Sequence, residues 1–168
     1  MSILIIAHNI RSAYNVGSIL RSADGFGVER VIFTGYTPYP AQADDTRLPH
    51  IHQKLTRQIH KTALGAEATV ANSYVEDPAH AIRELKAQDV TIMALEQAPN
   101  AVLLQKVQAP QNVALLLGEE VHGIDLHLLK MCDVIAEIPM RGQKESFNVS
   151  VATGIALYQL AVVGAFSA

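Results

Sequence analysis

Short apolar runs rich in β-branched residues alternate with helical patterns, and this alternation constrains the fold more than any other feature. The runs cover residues 3–7, 30–34, 68–71, 90–95, 113–117 and 134–138. Such runs are typical of parallel strands that are covered on both faces. Helical patterns are expected at about residues 15–25, 55–64, 78–88, 124–131 and 148–165. The order predicts an α/β fold, with a parallel sheet flanked by helices.

Cysteine usage and the N-terminal sequence bound the location of the chain. Cys132 is the only cysteine, so neither an internal disulfide nor a cysteine zinc site can form, and a reducing compartment, the cytoplasm, is expected. The N-terminal run lacks the basic and long apolar regions of a secretory signal. His50 and His52 are more often incidental than ligating in such a loop, so we expect no metal.

The C-terminal segment, residues 146–168, contains no charged residue. It is long enough for a membrane span of about 20 residues. However, Asn148, Ser150, Thr153 and Gln159 interrupt it, and no basic cluster follows it. We therefore expect a helix buried between layers or subunits rather than a membrane helix.

Charge is unevenly distributed along the chain. The net charge is −3, but residues 1–61 carry a net +3 and the remainder −6. A basic N-terminal third can present a phosphate-binding face, although an unevenly charged solvated surface explains the same numbers.

A first motif, residues 9–27, follows the first apolar run. Asn15 is expected to cap the helix start. Gly17 and Arg21 share a helix face, so the glycine should leave open space beside the guanidinium for a substrate. Gly25 and Gly27 should end the helix. A capped helix with an exposed arginine is the simpler alternative.

A second motif, residues 113–124, is an apolar run that ends at Gly118. Ligands of open α/β sheets sit outside the carboxyl ends of strands, and a glycine there lets a ligand approach the backbone. Gly123 is expected to supply a second tight turn. Taken alone the pattern is weak, because most such segments are only turns.

A third motif, residues 138–150, leaves an apolar run at Pro139 and forms a basic loop containing Gly142. It enters the last helix through Ser146 and Asn148, both suitable helix caps. Such a loop offers backbone groups to a nucleobase and a helix N-terminus to an anion.

The three motifs in this order resemble the SpoU-type, TrmH-like RNA ribose 2′-O-methyltransferases of the SPOUT superfamily. The first motif is similar in Asn15 and Arg21, and the second in Gly118-x-Glu120-x-x-Gly123. The third is similar from residues 138–140 through Ser146-Phe147-Asn148, with Phe147 where the family usually has leucine. Residues 61–66 also resemble a family segment, so the resemblance spans nearly the whole chain.

The resemblance implies a parallel sheet with a trefoil knot, in which the C-terminal segment threads through an earlier loop. It also implies a homodimer and methyl transfer from S-adenosylmethionine to a ribose 2′-hydroxyl of tRNA or rRNA, without membrane or metal. Residues 1–168 are expected to form one such domain, with no appended RNA-recognition domain. Periodicity alone could not propose a knot, because knots are nearly absent from proteins.

The resemblance also assigns site residues. The cofactor pocket should be formed by Leu95, Leu117, Gly118, Ile138, Met140, Ser146, Phe147 and Asn148. The catalytic group should comprise Arg21, Asn15, Glu120, Ser146 and Asn148. Candidate RNA contacts, chosen for their charge, are Arg11, Arg47, Arg57, Arg141 and Lys144.

The role of Arg21 follows from its chemistry. Arginine keeps its proton in proteins and is a poor general base. We therefore expect Arg21 to stabilise developing negative charge and hold a phosphate, while water, phosphate or His8 accepts the proton.

Three alternatives remain open at the sequence level: a SPOUT enzyme that methylates a base, a catalytically silent knotted RNA-binding protein, and a flavodoxin-like nucleotide-binding domain. The presence of both Arg21 and Glu120 speaks against the silent protein.

Overall fold

The computed structural model describes residues 1–164, which form a seven-stranded sheet flanked by helices. The strands are β1 (Ser2–His8), β2 (Arg30–Thr34), β3 (Asn72–Val75), β4 (Thr91–Leu95), β5 (Val102–Leu103), β6 (Asn112–Leu117) and β7 (Val134–Glu137). Their order is β3-β2-β1-β6-β4-β7-β5, and neighbouring strands pair in parallel. The expected α/β class is confirmed, while the knotted threading stays a prediction.

Helices cover both faces of the sheet. They are α1 (Ala13–Gly25), α2 (Pro49–Ala63), α3 (Ala66–Thr69), α4 (Pro78–Lys86), α5 (Leu126–Leu129) and α6 (Val149–Tyr158), which continues as a π-helical segment, Gln159–Val163. A 3₁₀ turn, Leu104–Lys106, follows β5. No helix within residues 1–164 is long and apolar enough to cross a membrane.

Alternation along the central strands builds two cores. In β1, Ile3, Ile5 and Ala7 pack on one side with α1, α2 and α6, because successive strand residues point to opposite faces. Leu4 and Ile6 pack on the other side with α4 and α5. An apolar run with no polar alternation is therefore what a doubly covered strand requires.

The strand order places four connecting segments side by side. β1, β6, β4 and β7 are consecutive neighbours, with Ala7 opposite Leu117, Ala94 opposite Leu116, and Leu95 opposite Ala136. Carboxyl ends of parallel strands meet at one edge of a sheet. The segments that follow these strands, which include all three motifs, therefore meet at that edge.

Two expected boundaries were wrong, and one strand was not predicted. Residues 68–71 do not form a strand, because α3 follows Gly65, whose φ is +105°, and the strand begins only at Asn72. Helix α2 begins at Pro49 rather than near residue 55, since proline is favoured in a first helical turn. The two-residue strand β5 carried no periodic signal. Residue 165, expected in the last helix, lies outside the described residues.

Candidate active site

A cavity of about 260 Å³ opens where β4, β6 and β7 end. The segments after these strands and the start of α6 enclose it. Seven of the residues proposed from the sequence line it: Leu95, Leu117, Gly118, Glu120, Ile138, Ser146 and Phe147. Met140, Asn15, Asn148 and Arg21 are not part of its lining. The structure thus brings together most of the expected cofactor group.

Hydrogen bonds connect the three motifs beside this cavity. The Asn15 side-chain amide donates to Glu120 Oε1 at 2.9 Å, and the Asn148 amide donates to Asn15 Oδ1 at 3.2 Å. The backbone N–H of Arg11 donates to the other Glu120 oxygen at 3.2 Å. Because a carboxylate only accepts, Glu120 fixes which way the Asn15 amide points.

The helix caps differ from the expectation. Ser12, not Asn15, is the N-cap of α1, and its hydroxyl accepts from the Asn15 N–H at 3.3 Å. The Asn15 side chain is therefore free to bond across to Glu120. Asn148 does cap α6, accepting from the Ser150 N–H at 2.9 Å, whereas Ser146 lies two residues before the cap.

The loop after β6 is held by a residue that the sequence reading missed. Glu96, directly after β4, accepts from the Ile124 N–H and from the Gln97 N–H, each at 2.9 Å. A side chain on Gly123, whose φ is +70°, would meet the Glu96 carboxylate at 2.2 Å. The position of Glu96 at a strand's carboxyl end is the signal that could have identified it.

Gly118 serves packing rather than ligand approach. A Cβ at this position would lie 2.5 Å from Ile124 Cγ1 and 2.6 Å from the Gly123 carbonyl. The space that was expected for a ligand is therefore filled by the returning loop, although Gly118 still lines the cavity.

Glu119 connects two segments at the cavity. Its carboxylate contacts the Arg11 guanidinium at 2.6 Å and His122 Nδ1 at 2.9 Å. The hydrogen bond from His122, followed by that from Tyr36 and the charge of Arg11, lowers the pKa of Glu119 despite its partial desolvation. Glu119 therefore stays ionised at neutral pH and holds Arg11 near the cavity.

Gly17 also differs from the expectation. A Cβ on Gly17 would lie 2.2 Å from Thr62 Oγ1 and 2.3 Å from the Ile59 carbonyl oxygen. Helix α2 thus occupies the space that was expected for a substrate. Arg21 is exposed one turn further along α1 and shares a shallow surface depression with Lys61 and Thr62.

His8 is buried at the end of β1. It is 6% exposed, and its Nδ1 lies 2.9 Å from Thr34 Oγ1. Burial lowers the pKa of His8 below the ordinary value, against the raising effect of nearby carboxylates. The ring is therefore neutral at pH 7, but it does not line the cavity.

The expected RNA contacts divide into two groups. Arg11, Arg57, Arg141 and Lys144 are exposed. Arg47 instead donates to the carbonyls of Tyr39 and Pro40, pairs with Asp45, and lies 3.5 Å above the Tyr39 ring. Its guanidinium is thus used within the loop that connects β2 to α2.

The cavity is more acidic than the motifs alone suggested. Five carboxylates line it: Glu96, Glu119, Glu120, Glu137 and Glu145. A lining that combines apolar side chains with carboxylates suits a ligand that is both apolar and cationic. In the described part of the chain, no cluster of three or more His, Cys, Asp or Glu side chains could hold a metal ion.

The chain is similar in sequence to known RNA methyltransferases. A curated relative, the 23S rRNA (guanosine-2'-O-)-methyltransferase RlmB of Xylella fastidiosa, is 33% identical over 158 residues, which cover 94% of this chain and 57% of the relative. RlmB of Coxiella burnetii is 31% identical, with 95% of this chain and 58% of the relative covered. The chain thus spans a little more than half the length of these relatives.

A solved structure with a similar fold is the TrmH/SpoU tRNA modifying enzyme of A. aeolicus, with a TM-score of 0.79, 24% identity, and coverage of 95% of this chain and 74% of that chain. The AdoMet-bound rRNA methyltransferase of Sinorhizobium meliloti has a TM-score of 0.77 at 24% identity, covering 95% of this chain and 55% of that one. The sequence model of the SpoU rRNA Methylase family matches residues 2–158. The chain therefore belongs to the SpoU rRNA Methylase family.

Proposed function

We propose that this chain transfers a methyl group from S-adenosylmethionine to a ribose 2′-hydroxyl of RNA. The observation that carries the proposal is the hydrogen-bonded series Glu120–Asn15–Asn148, which joins the three motifs beside the cavity. Related proteins named as ribose methyltransferases support the reaction class.

The cavity suits S-adenosylmethionine in its chemistry. Leu95, Leu117, Ile138 and Phe147 provide apolar walls, and the carboxylates that line the cavity complement a sulfonium and an ammonium group. Its volume, about 260 Å³, is slightly below the roughly 300–1,000 Å³ usual for small-molecule sites. An AdoMet-bound enzyme of similar fold supports the same ligand.

The residues beside the cavity divide the work of the reaction. When bound, S-adenosylmethionine supplies an electrophilic methyl group on a sulfonium. Glu120 holds the Asn15 amide, which positions the ribose together with Asn148. Ser146 contributes its hydroxyl to the cavity wall. Met140 lies in the loop between β7 and α6 and does not line the cavity. We propose that it contacts the cofactor once the cofactor has bound.

Arg21 is proposed to stabilise negative charge on the ribose oxygen and to hold an adjacent phosphate, as suits a permanently charged guanidinium. As the oxygen–carbon bond forms and the carbon–sulfur bond breaks, the hydroxyl proton must leave. His8 is buried against Thr34, so water or an RNA phosphate is the better acceptor.

We propose that the protein acts as a homodimer. Phe147, Val151, Ile155 and Tyr158 follow a spacing of four, four and three residues and are 38–54% exposed. At about 100° per residue, Val151, Ile155 and Tyr158 share one face of α6, and Phe147, which lines the cavity, lies just before the helix. Because Arg21 does not line the cavity of its own chain, a second copy is proposed to supply it.

Complementation tests this arrangement. Arg21→Ala and Glu120→Ala are each expected to be inactive alone, but mixed and refolded together they should recover about a quarter of wild-type activity. Half of the random dimers are mixed, and each mixed dimer has one intact site of two. A mixture that stays inactive while light scattering shows dimers would place Arg21 in its own subunit.

Undermodified total RNA and tritiated S-adenosylmethionine test the reaction itself. Digestion to nucleosides and mass spectrometry should place the methyl group on ribose. A methyl on the base would assign a base methyltransferase, and absent transfer with intact RNA binding would assign a silent RNA-binding protein. Fractionating the RNA would distinguish tRNA from rRNA. We propose the cytoplasm as the location, consistent with the free thiol of Cys132.

A further inference from the structure

Helix α2 presents a continuous basic face. The 15-residue helix contains no aspartate or glutamate. His50, Lys54, Arg57 and Lys61 are all exposed and are separated by four, three and four residues. At about 100° per residue these side chains fall within an arc of about 60°. We call this set the α2 stripe.

The α2 stripe makes no ion pairs within residues 1–164. None of Lys54, Arg57 and Lys61 pairs with a carboxylate in that part of the chain, whereas Arg83 and Lys86 elsewhere do. The opposite side of α2 buries Ile59 and Ala63. Like charges one turn apart repel each other, so the stripe costs the helix some stability, and a bound anion would reduce this repulsion.

The stripe continues into the surroundings of Arg21. Lys61 shares a depression with Arg21, Ser18 and Ser22 on α1. Tyr14, two turns before Arg21, is 47% exposed, and its ring centroid lies 5.9 Å from Lys61 Nζ. An exposed aromatic ring among unpaired cations is the combination that binds single-stranded nucleic acid, with bases on rings and phosphates on cations.

Resting on the function proposed above, we propose that α2 binds the backbone of a single-stranded RNA segment and guides it to Arg21. Lys54, Arg57 and Lys61 contact phosphates along the helix face, and Tyr14 stacks on a base beside them. An acidic protein could satisfy the charges, but it would leave Tyr14 without a role.

Salt-dependent binding tests the phosphate contacts. The probe is a 5′-fluorescein-labelled 12-nucleotide oligouridylate, followed by fluorescence anisotropy from 50 to 200 mM KCl. Log K falls as log salt rises, and each single-strand phosphate contact contributes about 0.7 to the steepness of this fall. Changing Lys54, Arg57 and Lys61 together to Gln should therefore make the slope shallower by about 2. The control variant changes three exposed cations on other elements to Gln: Arg30, Lys106 and Lys130. It has the same net charge as the α2 triple variant.

Equal slopes in the two triple variants would overturn the proposal, because only overall charge would then matter. Competition by polyglutamate as effective as by unlabelled RNA would also overturn it, assigning the stripe to an acidic protein. Circular dichroism and S-adenosylmethionine binding by calorimetry should be unchanged in both triples.

Tyr14 variants test the stacking. Tyr14→Leu should weaken oligouridylate binding by about fivefold to a hundredfold, the usual effect of removing an aromatic side chain on which one base stacks. Tyr14→Phe keeps the ring and should keep the affinity. Equal loss in both variants, or in neither, would remove Tyr14 from the site.

Methyl transfer separates this inference from the proposed function. We expect the α2 triple to raise KM for RNA at least tenfold while kcat at saturating RNA stays within about twofold. If the α2 triple variant is active with a wild-type KM, the proposal that the α2 stripe binds RNA is refuted and the proposed methyltransferase function is unaffected. Wild-type protein that binds oligouridylate through the stripe but transfers no methyl group would support the stripe and refute the methyltransferase.

Discussion

Gly17→Ala should destabilise the fold rather than block a substrate. The new methyl group would lie 2.3 Å from the Ile59 carbonyl oxygen and 2.9 Å from the Ala63 nitrogen, both backbone atoms of α2. No side-chain rotation can relieve these contacts, so α1 and α2 must separate. Overpacking of this kind costs about 1–3 kcal/mol.

Two further effects modify this figure. The methyl group would also lie 2.2 Å from Thr62 Oγ1, whose hydroxyl donates to the Tyr14 carbonyl at 2.8 Å. Turning Thr62 away would lose that hydrogen bond, worth about 1 kcal/mol. Alanine in place of glycine within a helix returns about 1 kcal/mol. The net expectation is a destabilisation of about 2 kcal/mol, the middle of the overpacking range.

Urea unfolding followed by circular dichroism measures the effect. With a slope of about 1–3 kcal/mol per molar urea, the midpoint should fall by about 1 M. Gly154→Ala is the matched control, because outside its own helix the only atom of residues 1–164 within 4 Å of the new methyl group is Ser22 Oγ, at 3.9 Å. That variant should gain up to about 1 kcal/mol. A Gly17→Ala midpoint at or above wild type, with methyl transfer abolished, would show that the glycine leaves room for substrate instead.

Four other changes have defined outcomes. Arg21→Lys should lower kcat about a hundredfold with S-adenosylmethionine affinity unchanged, because a point charge cannot replace the two-pronged guanidinium; near-normal turnover would refute the role. Glu96→Gln keeps one oxygen for the two N–H donors, so calorimetry should show weaker cofactor binding, and Glu96→Ala should weaken it more. Asp45 is nearly buried against Arg47, which holds the pKa of Asp45 well below its ordinary 3.8. A carboxyl whose pKa is lowered in the folded state stabilises the fold fully above its ordinary pKa, and this benefit is lost progressively as pH falls from that value toward the lower folded-state pKa. Asp45→Asn should therefore cost about 1–3 kcal/mol at pH 7 and less at pH 3, measured by urea unfolding. Burial raises the pKa of Cys132 to about 11, so iodoacetamide at pH 8 should modify it about a hundredfold more slowly than an ordinary thiol, as mass spectrometry would show.

Periodicity predicted the central strands because burial on both faces leaves an unbroken apolar run, as in β1 and β6. It failed for residues 68–71, where four apolar or small residues fit a short helix as well as a strand. Strand β5 has only two residues, and its pairing with β7 depends on how distant segments come together. No local sequence pattern could therefore indicate this strand.

The glycines show where a sequence cannot decide. A glycine indicates that a side chain is excluded, but not what excludes it. At Gly17 and Gly118 the neighbour is another part of the chain rather than a ligand. The contact between Asn15 and Glu120 joins residues 105 positions apart, so only the order of strands could bring it about. Motif resemblance named both residues, and the structure supplied the bond between them.

The proposed function accounts for the uneven charge of the chain, because it requires two ligands of opposite sign. A cationic cofactor is favoured by the carboxylates around the cavity, whereas a polyanion is repelled by them. Part of that repulsion is removed because the Arg11 guanidinium pairs with Glu119. The remainder requires cations on a separate element, and the α2 stripe provides them without any acidic neighbour on its helix. A net charge of −3 is therefore compatible with RNA binding. What matters is that the acidic cavity and the basic α2 stripe lie on separate elements, and the total charge does not decide binding.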